Sequence, residues 1–489
     1  MQQSAILALD QGTTNTKALL VSLDGIILTR ASRPMQLSHP QPGWAEQSAD
    51  AIWASVQEVI ADAVTGIDAT VVALAVSNQR ETIILWDAES GRPLAPAISW
   101  QCRRSSDRCA ALREQGHEAA IKARTGLDLD PLFPATKLAW LLDNVPLARQ
   151  RMKDGMLRAG TVDSWLLWNL TGGSVHATDS GNASRTQLYD LGTAAWSQDL
   201  GSLFGVPLDI LPEVRASDSH FGDTATLRTA LPGGIPILAM MGDSHAALFG
   251  HRLSGRGVAK VTIGTGSSIM ALTDTPIQSY HGLSSTIAWQ RGDAIAYALE
   301  GNITVSGQAA AFAAQLLGLE DANALSALAE TVPDSGGVAF VPALAGLGAP
   351  HWDDRARGLI AGMTLGTRPA HVARATLEAI ALQIVDVATA MEGDTGRRMA
   401  AVSVDGGATR NGFLVQLIAD LLDRPIIRRI NPELSALGAA RMAAETLNFS
   451  QWTVEGGAEQ RFIPTMSAVE RNRIVSNWQA AVRLAKTPS

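Results

Sequence analysis

The sequence predicts an α/β protein with mixed sheets, arranged as two similar halves. Strand-like segments alternate with segments of helical spacing, which is typical of sheets covered by helices. A strand, a turn of small residues and a second strand occur twice, around residues 10–14 and again around 264–268. This recurrence indicates a duplication with a cleft between the halves. We expect the boundary near residues 245–255, with units of 1–248 and 249–489.

Composition narrows the class of protein further. The chain has 489 residues, is 46% hydrophobic and carries a net charge of −8, which excludes a disordered chain and gives no basic surface for nucleic acid. The only cysteines, Cys102 and Cys109, exclude a disulfide framework, and we interpret them as bystanders. The start lacks a signal-peptide pattern and the apolar runs are short, so we expect a cytoplasmic protein without membrane insertion.

The elements of the first half follow from turn residues and apolar spacing. The first 31 residues predict a three-stranded meander, because turn residues at 10–14 and Asp24-Gly25 interrupt the apolar alternation. The pattern then predicts a helix over 51–64, a buried strand over 71–76, a hairpin of 82–86 with 94–100, helical segments at 137–142 and 162–170, a strand over 237–241 and a helix over 246–250.

The second half has a similar order of elements. The pattern predicts strands over 258–263 and 269–273, helices over 306–317 and 371–391, a strand that leads into Asp405, and helices over 412–422 and 472–486. The last helix is amphipathic and is expected to close the fold.

The first turn, residues 10–17, joins an acid at a strand end to glycine, hydroxyls and a lysine. Glycine and short side chains allow backbone N–H groups to approach a phosphate. Asp10 could hold a metal ion through water, and Lys17 could neutralise phosphate charge. An ordinary β-turn is the alternative interpretation of the same residues.

Two further glycine turns lie in the second half. Residues 264–267 repeat the small-residue turn, and 405–408 with Asn411 open a predicted helix whose N-terminus suits a phosphate or an adenosine. A nucleotide in a cleft needs donors from both walls, so the two matching turns favour a nucleotide site. None of them is a P-loop or a dinucleotide fingerprint.

Two other polar groups follow buried strands. Asp243 comes directly after the strand 237–241, where an α/β fold often places a catalytic acid or base, although a helix N-cap is an equal alternative. Arg80 and Glu81 follow the strand 71–76 and could bind hydroxyls by donating and accepting hydrogen bonds. Their alternative role is a surface ion pair. His245 has no second histidine at ligand spacing, so we do not expect it to bind a metal.

Beyond these features, the chain resembles the FGGY family of carbohydrate kinases nearly from end to end, and within it the glycerol kinases. The segments that carry the resemblance are LDQGTTNTK (9–17), SNQRET (77–82), WQCRR (100–104), GTVDSWLLWNLTGG (160–173), ATDSGNASRT (177–186), GDSHAALFG (242–250), GTGS (264–267), ALAGLGAPHWDDRARG (343–358) and VDGGATRNGF (404–413). So many ordered matches exclude chance agreement.

The resemblance implies an actin-like ATPase fold of two RNase H-like domains, with ATP and Mg²⁺ in the cleft, the second domain binding nucleotide, and phosphate transfer to a small polyol or sugar. Asp243 would be the general base and would join Asp10 near the metal. The acceptor would contact Arg80, Glu81, Trp100, Leu132, Asp243, Ser244 and Ser268. The nucleotide would contact Thr13, Thr14, Lys17, Thr265, Gly266, Gly307, Gly407 and Asn411.

The chain departs from the glycerol kinase pattern at several positions. Leu132 stands where the family has a tyrosine, Ser244 where it has a glutamine, and Ser268 where it has a phenylalanine. Lys17 replaces an arginine, and Ala311 a nucleotide-side glutamine. Glycerol remains the first acceptor to expect, because Arg80 and Glu81 are retained. The truncated positions leave a larger tetritol, pentitol or ketose as the alternative.

Proteins of other classes share the actin-like fold, so a non-kinase ATPase and a catalytically inactive sugar sensor are remote alternatives. The intact acid and phosphate turns favour the kinase. Association into homo-oligomers is common among such kinases, and these residues do not decide it.

Overall fold

A computed structural model describes residues 3–251, 257–429, 433–449, 452 and 459–486. Within these residues, no helix combines the length and the apolar character needed to cross a membrane.

The first half is a series of short and medium strands interleaved with helices. Its strands are β1 Gln3–Gln11, β2 Asn15–Ser22, β3 Ile27–Pro34, β4 Glu46–Gln47, β5 Ala69–Asn78, β6 Ile83–Asp87, β7 Ala97–Ile98, β8 Leu157–Thr161, β9 Ala177–Asp179, β10 Tyr189–Asp190, β11 Ala195–Trp196, β12 Glu213–Arg215 and β13 Ile237–Gly242. Its helices are α1 Ala49–Val64, α2 Ser106–Glu114, α3 Glu118–Thr125, α4 Pro134–Asn144, α5 Ala148–Lys153, α6 Val162–Leu170, α7 Ser180–Ala183, α8 Gln198–Phe204 and α9 Asp243–Gly250.

The second half has longer strands and the longest helix. Its strands are β14 Val258–Ile263, β15 Ser267–Thr273, β16 Ser284–Arg291, β17 Ala294–Ile303, β18 Ala339–Val341, β19 Leu359–Ala361, β20 Ala401–Asp405, β21 Ile426–Arg429 and β22 Glu459–Phe462. Its helices are α10 Gly307–Leu316, α11 Ala322–Ala329, α12 Pro369–Thr395, α13 Gly412–Leu422, α14 Leu434–Thr446 and α15 Ala468–Ala485.

The two main sheets share one arrangement. The first has the order β13-β5-β1-β2-β3, with β13, β5 and β1 parallel and β1, β2 and β3 antiparallel. The second contains β21-β20-β14-β15-β17 with the same directions, extended by β16 and β22. The duplicated layout predicted from the sequence is therefore present as two mixed sheets, and each sheet is covered by helices, as in an actin-like fold.

Both faces of the first sheet are buried, because successive side chains of a strand point to opposite faces. Leu7 and Leu9 belong to the apolar cluster that includes residues of α1 and α6. Ile6 and Ala8 belong to a second cluster, which includes residues of α9 and α14. The strand β1 at the centre of the sheet is therefore held from both sides, and the residues at its end have a rigid support.

Helix α14 belongs by sequence to the second predicted unit, 249–489, but it packs on the sheet of the first. Its alanines share a cluster with β1, β5 and β13. It crosses α9 so closely that a Cβ on Gly438 would lie 1.9 Å from the carbonyl oxygen of Ala246, so only glycine fits there. The sequence analysis did not predict this return of the chain to the first sheet.

Most predicted elements are present, and three have the predicted bounds: the strand 258–263 and the helices 162–170 and 412–422. Two differ for local reasons. The predicted strand 94–100 is reduced to Ala97–Ile98, because Pro96 has no N–H to donate to a ladder. The helix predicted from residue 246 begins at Asp243, directly at the end of β13.

Candidate active site

The ends of three parallel strands bring the first group of predicted site residues together. The register aligns Asp10 at the end of β1 with Ser77 on β5, and Gly242 at the end of β13 with Asn78. The polar residues that follow each strand therefore gather at one edge of the sheet, the usual place for ligands in α/β folds.

Asp243 is the first residue of α9, and its side chain is 37% exposed. Its Oδ1 accepts a hydrogen bond from the backbone N–H of Ser244 at 2.6 Å. Gly242 occupies the N-cap position, so the alternative role of Asp243 as the helix N-cap is wrong. The carboxylate lies at a helix N-terminus, where the helix dipole stabilises negative charge, and it is accessible to a ligand.

Asp10 lies close enough to Asp243 for their charges to interact. Its Oδ1 accepts a hydrogen bond from the Ser77 hydroxyl at 2.8 Å. Burial, followed by the negative charge of Asp243, raises the pKa of Asp10 to about 6. A divalent cation would relieve this repulsion, so two carboxylates in this relation fit one.

Two carboxylates alone do not complete the coordination shell of such a cation. Among the residues that the structure describes, no three or more His, Cys, Asp or Glu side chains group together as a metal site. Magnesium commonly takes one or two carboxylates and completes its shell with phosphate oxygens and water. Asp10 and Asp243 therefore fit Mg²⁺ that arrives with a nucleotide.

Arg80 is buried, with 6% of its surface exposed, and is ion-paired on two sides. Its terminal nitrogens donate to both carboxylate oxygens of Glu300 at 3.0 and 2.6 Å. Its Nε lies 3.3 Å from Oδ1 of Asp243. The alternative role of Arg80 in a surface ion pair is wrong, and its guanidinium instead holds a defined orientation beside the predicted base.

Glu81 is also buried and does not pair with its neighbour Arg80 through a hydrogen bond. Its Oε1 accepts from Nε of Arg185 at 2.7 Å. Arg185 has no exposed surface, and its second terminal nitrogen lies 2.9 Å from Oε2 of Glu300. Glu300 thus lies between two arginines. A row of alternating charges runs from the partly exposed Asp243 through the buried Arg80, Glu300 and Arg185 to Glu81.

Strand β17 supplies Glu300, so the second half of the chain contributes to this row. Although burial raises it, the charges of Arg185 and Arg80 hold the pKa of Glu300 well below its usual range. Ser268 on β15 donates its hydroxyl hydrogen to Oε1 of Glu300 at 2.8 Å. Ser268 therefore adjoins the row of charges, and its contact with an acceptor stays a prediction.

Two more basic side chains face the same region. Lys260 on β14 is fully buried and its Nζ lies 3.5 Å from the carbonyl oxygen of Ser244. Burial lowers the pKa of Lys260. His245 is fully buried, with Nε2 3.4 Å from Arg80, and burial and the Arg80 charge lower the pKa of its imidazole well below the usual value. Both effects favour the neutral form of the imidazole.

An apolar wall lies beside these charges. Leu132 and Phe133 form a buried cluster with Leu127, and Trp100 packs against it. The indole Nε1 of Trp100 donates to the hydroxyl of Thr13 at 2.9 Å. The structure thus brings the predicted acceptor residues Trp100 and Leu132 together, and Trp100 connects them to the turn of residues 10–17.

The remaining side chains of the first turn have mixed surroundings. Thr14 is exposed. Lys17 is only 30% exposed, and its ammonium donates to a carboxylate oxygen of Glu433 at 2.8 Å. Glu433 directly precedes helix α14, so this ion pair joins the turn to the returning helix. The predicted contact of Lys17 with phosphates stays a prediction.

The glycine turns of the second half meet at the edge of the other main sheet. A Cβ on Gly307 would lie 2.4 Å from the carbonyl oxygen of Gly264 and 3.9 Å from Cβ of Ala408. A Cβ on Gly266 would lie 2.5 Å from the carbonyl oxygen of Ile303. The two glycine turns of the second half and Gly307 are therefore neighbours, and Gly266 and Gly307 are required by close backbone approach.

Thr265 and Gly407 are exposed at this edge. Asn411 has a structural role as the N-cap of α13, since its side chain accepts from the N–H of Leu414 at 3.1 Å. Its amide nitrogen also donates to the Ser326 hydroxyl at 2.7 Å. Contacts of these residues with a nucleotide stay predictions.

Sequence reasoning missed five charged or titratable residues that the structure places at or beside the site: Lys137, Arg185, His245 as a site residue, Lys260 and Glu300. Two of them, Lys260 and Glu300, are the single charges of their strands, and Lys137 is the single charge among the buried residues of α4. Charged side chains are almost never fully buried unless they are paired. That signal was available in the sequence, but it does not identify the partners.

Two family models match consecutive parts of the chain. The model described as "FGGY family of carbohydrate kinases, N-terminal domain" matches residues 5–250. The corresponding C-terminal domain model matches residues 259–447. Together they account for most of the chain.

Individual relatives cover the full length. A glycerol kinase of Burkholderia multivorans is 46% identical, and one of Paraburkholderia xenovorans 45% identical, each over 99% of both chains. Among solved structures, a Plasmodium falciparum glycerol kinase with ADP has a TM-score of 0.90 at 30% identity, and covers 100% of this chain and 99% of its own. A xylulose kinase of Rhodospirillum rubrum has a TM-score of 0.86 at 26% identity and 98% coverage of both.

Proposed function

The chain belongs to the FGGY family of carbohydrate kinases, and from this premise we propose that it transfers the γ-phosphate of ATP to a hydroxyl of a small polyol, with glycerol as the first candidate acceptor. The single observation that carries the proposal is the accessible carboxylate of Asp243, which lies beside Arg80 at 3.3 Å and interacts with the buried carboxyl of Asp10. Both curated relatives named above are glycerol kinases, which supports glycerol as the acceptor.

Asp243 acts as the general base in this proposal. A hydroxyl becomes a better nucleophile when its proton moves to a carboxylate oxygen in the transition state. Oδ1 of Asp243 is engaged with the Ser244 N–H, and the side chain is partly exposed, which leaves it accessible to an acceptor hydroxyl. The positive charge of Arg80 and the N-terminus of α9 both lie beside this carboxylate.

Arg80 and Glu81 orient the acceptor. Each is held by a buried partner, Arg80 by Glu300 and Glu81 by Arg185, so neither side chain must be ordered when a ligand binds. Phosphoryl transfer depends mainly on positioning and on neutralising charge. Groups that are already held in place therefore contribute directly to the rate.

The nucleotide binds between residues of both halves of the chain in this proposal. The proposal assigns its phosphates to Thr13, Thr14, Lys17, Thr265 and Gly266, and its adenosine to Gly307, Gly407 and Asn411. Asp10 and Asp243 would hold Mg²⁺, which would supply positive charge against the phosphate oxygens. The turn of residues 264–266 has one exposed hydroxyl and closely packed glycines, which supports backbone contact with phosphate oxygens.

A larger acceptor is the second candidate, and one observation favours it. Ser268 and Leu132 stand where glycerol kinases have larger side chains, and both adjoin the predicted acceptor site, Ser268 through Glu300 and Leu132 through Trp100. Smaller side chains at these positions leave more room for a tetritol, a pentitol or a ketose.

Cytoplasmic location and self-association stay predictions from the sequence.

The experiment is ADP release from MgATP with a panel of glycerol, erythritol, threitol, erythrulose, xylitol, xylulose and ribulose. Asp243→Asn preserves shape and removes the base, so we expect kcat to fall by about 10²–10⁴-fold while thermal stability is retained. The highest kcat/KM identifies the acceptor class. ATP turnover that no polyol or sugar stimulates would contradict a kinase and favour an ATPase or a sensor.

A further inference from the structure

Lys137 is a fully buried lysine in the first turns of helix α4. Its ammonium donates to three backbone carbonyl oxygens, those of Glu81 at 2.9 Å, Ser99 at 3.3 Å and Leu132 at 2.7 Å. An ammonium has three N–H donors, so all three are used. Within the described part of the chain, no carboxylate forms an ion pair with this ammonium.

Each of the three carbonyls belongs to a segment with a predicted acceptor residue. Glu81 and Leu132 are themselves such residues, and Ser99 directly precedes Trp100. The segments come from three places in the chain: the end of β5, the end of β7 and the loop before α4. The structure gives them one common point of attachment, the Nζ atom of Lys137.

The conformation at Glu81 shows why an attachment is needed there. Its φ of +61° lies in the left-handed region, which is unfavourable for a residue with a side chain. Such a conformation persists only when its surroundings hold it, and it often occurs at functional sites. The carbonyl of this same residue receives a hydrogen bond from Lys137, so the lysine helps to hold the strained peptide that aims the Glu81 side chain at Arg185.

We propose that Lys137 is a positioning residue for the acceptor: it holds the segments of Glu81, Trp100 and Leu132 in one arrangement without itself contacting the acceptor. This inference rests on the proposed function, because it takes these three residues as the acceptor site. Burial lowers the pKa of Lys137 to about 7, because a charged ammonium is costly to bury, and the three carbonyl acceptors act in the opposite direction by binding the charged form. The charged and titratable groups that act on it are Glu81, Cys102, Asp130 and Arg103.

A purely structural role makes a different prediction. If Lys137 only filled the core, its loss would lower stability and reduce the amount of folded enzyme, with unchanged KM values for both substrates. A positioning role instead predicts a changed KM for the acceptor and an unchanged KM for MgATP. The described hydrogen bonds of Lys137 go to the acceptor segments and to none of the glycine turns of the second half.

The test compares Lys137→Met, which keeps the length and removes every donor, with Lys137→Gln, which keeps two N–H donors. Lys122→Met is the matched control, because Lys122 lies in the neighbouring helix α3 and pairs with the side chain of Asp128, in the same loop as Leu132, without donating to any of the three carbonyls. KM is measured separately for MgATP and for the acceptor that the wild type phosphorylates best, and folded protein is quantified by circular dichroism.

We expect Lys137→Met to raise the KM of the acceptor by about tenfold or more and to leave the KM of MgATP within about twofold. Lys137→Gln should fall between the wild type and the methionine variant, and Lys122→Met should match the wild type. Equal changes in both KM values, or a loss of stability with unchanged kinetics, would overturn the inference. If the methionine variant does not fold, the glutamine variant decides by the same criterion. An enzyme that phosphorylates no acceptor would instead overturn the proposed function.

Discussion

Arg80 donates to both carboxylate oxygens of Glu300, at 3.0 and 2.6 Å. The two residues are 220 positions apart in sequence, and their ion pair joins the two halves of the chain. Glu300 is fully buried and Arg80 nearly so. A predicted acceptor residue of the first half is therefore oriented by a side chain from the second half. The site and the contact between the halves depend on the same pair.

Glu300→Gln tests this dependence. The substitution leaves the guanidinium groups of Arg80 and Arg185 buried without their shared counter-charge, and breaking such a pair costs about 3–5 kcal/mol. We expect a lower midpoint in urea denaturation and a raised KM for the acceptor. Glu213→Gln is the control, because Glu213 pairs with Arg215 at the exposed surface, where ion pairs contribute little. Similar stability of the two variants would contradict the role of Glu300.

The pKa of Asp10 predicts how stability depends on pH. Its pKa is 3.8 unfolded and about 6 in the folded chain, so the folded chain binds this proton more tightly. The resulting stabilisation is fully present below pH 3.8 and is lost as the pH rises through about 6. We expect Asp10→Asn to remove this pH dependence and to raise the melting temperature at neutral pH in the absence of metal and nucleotide.

The measurement is thermal denaturation of the wild type and Asp10→Asn across the acidic range. Ser77→Ala provides a graded comparison, since the Ser77 hydrogen bond lowers the pKa of Asp10 and its loss should extend the window to higher pH. A parallel pH dependence in the wild type and the asparagine variant would show that Asp10 is not responsible. Asp10→Asn should also weaken activation by Mg²⁺.

Gly407 offers a test of the nucleotide site that does not disturb the fold. A Cβ at this position would have no atom within 4 Å, whereas on Gly266 or Gly307 it would clash with backbone. We expect Gly407→Ala to keep the melting temperature and to raise the KM of ATP by about tenfold, with the acceptor KM unchanged. Gly412→Ala is the control, because it too meets no atom within 4 Å. If both variants keep the wild-type KM for ATP, Gly407 does not border the nucleotide.

Acceptor size can be tested by restoring the side chains usual in glycerol kinases. We expect Leu132→Tyr with Ser268→Phe to reduce kcat/KM for the best larger acceptor, relative to glycerol, by about tenfold, because about 1–3 kcal/mol of discrimination follows from small changes in pocket volume. Ser268→Ala separates volume from hydrogen bonding, since it removes only the bond to Glu300. An unchanged acceptor preference in the double variant would indicate that the pocket is repacked around glycerol itself.

The residues that the sequence predicted best are those whose role is set by neighbours in the chain. The helix 412–422 and the strand 258–263 have the predicted bounds, because apolar spacing and adjacent turn residues are local properties. Asp243 was predicted beside a buried strand, but its place at the first helical position rather than the cap depends on how β13 meets α9.

The two-part α/β layout, the glycine turns and the acidic and basic residues at strand ends can all be predicted from the sequence, because periodicity and turn chemistry act over a few residues. The packed fold is needed to show that Glu300 binds Arg80 and Arg185, that Lys137 joins three segments, and that helix α14 returns to the first sheet. These relationships join residues far apart in the chain, and they form because a buried charge or an apolar helix face needs a partner that only the packed fold brings near.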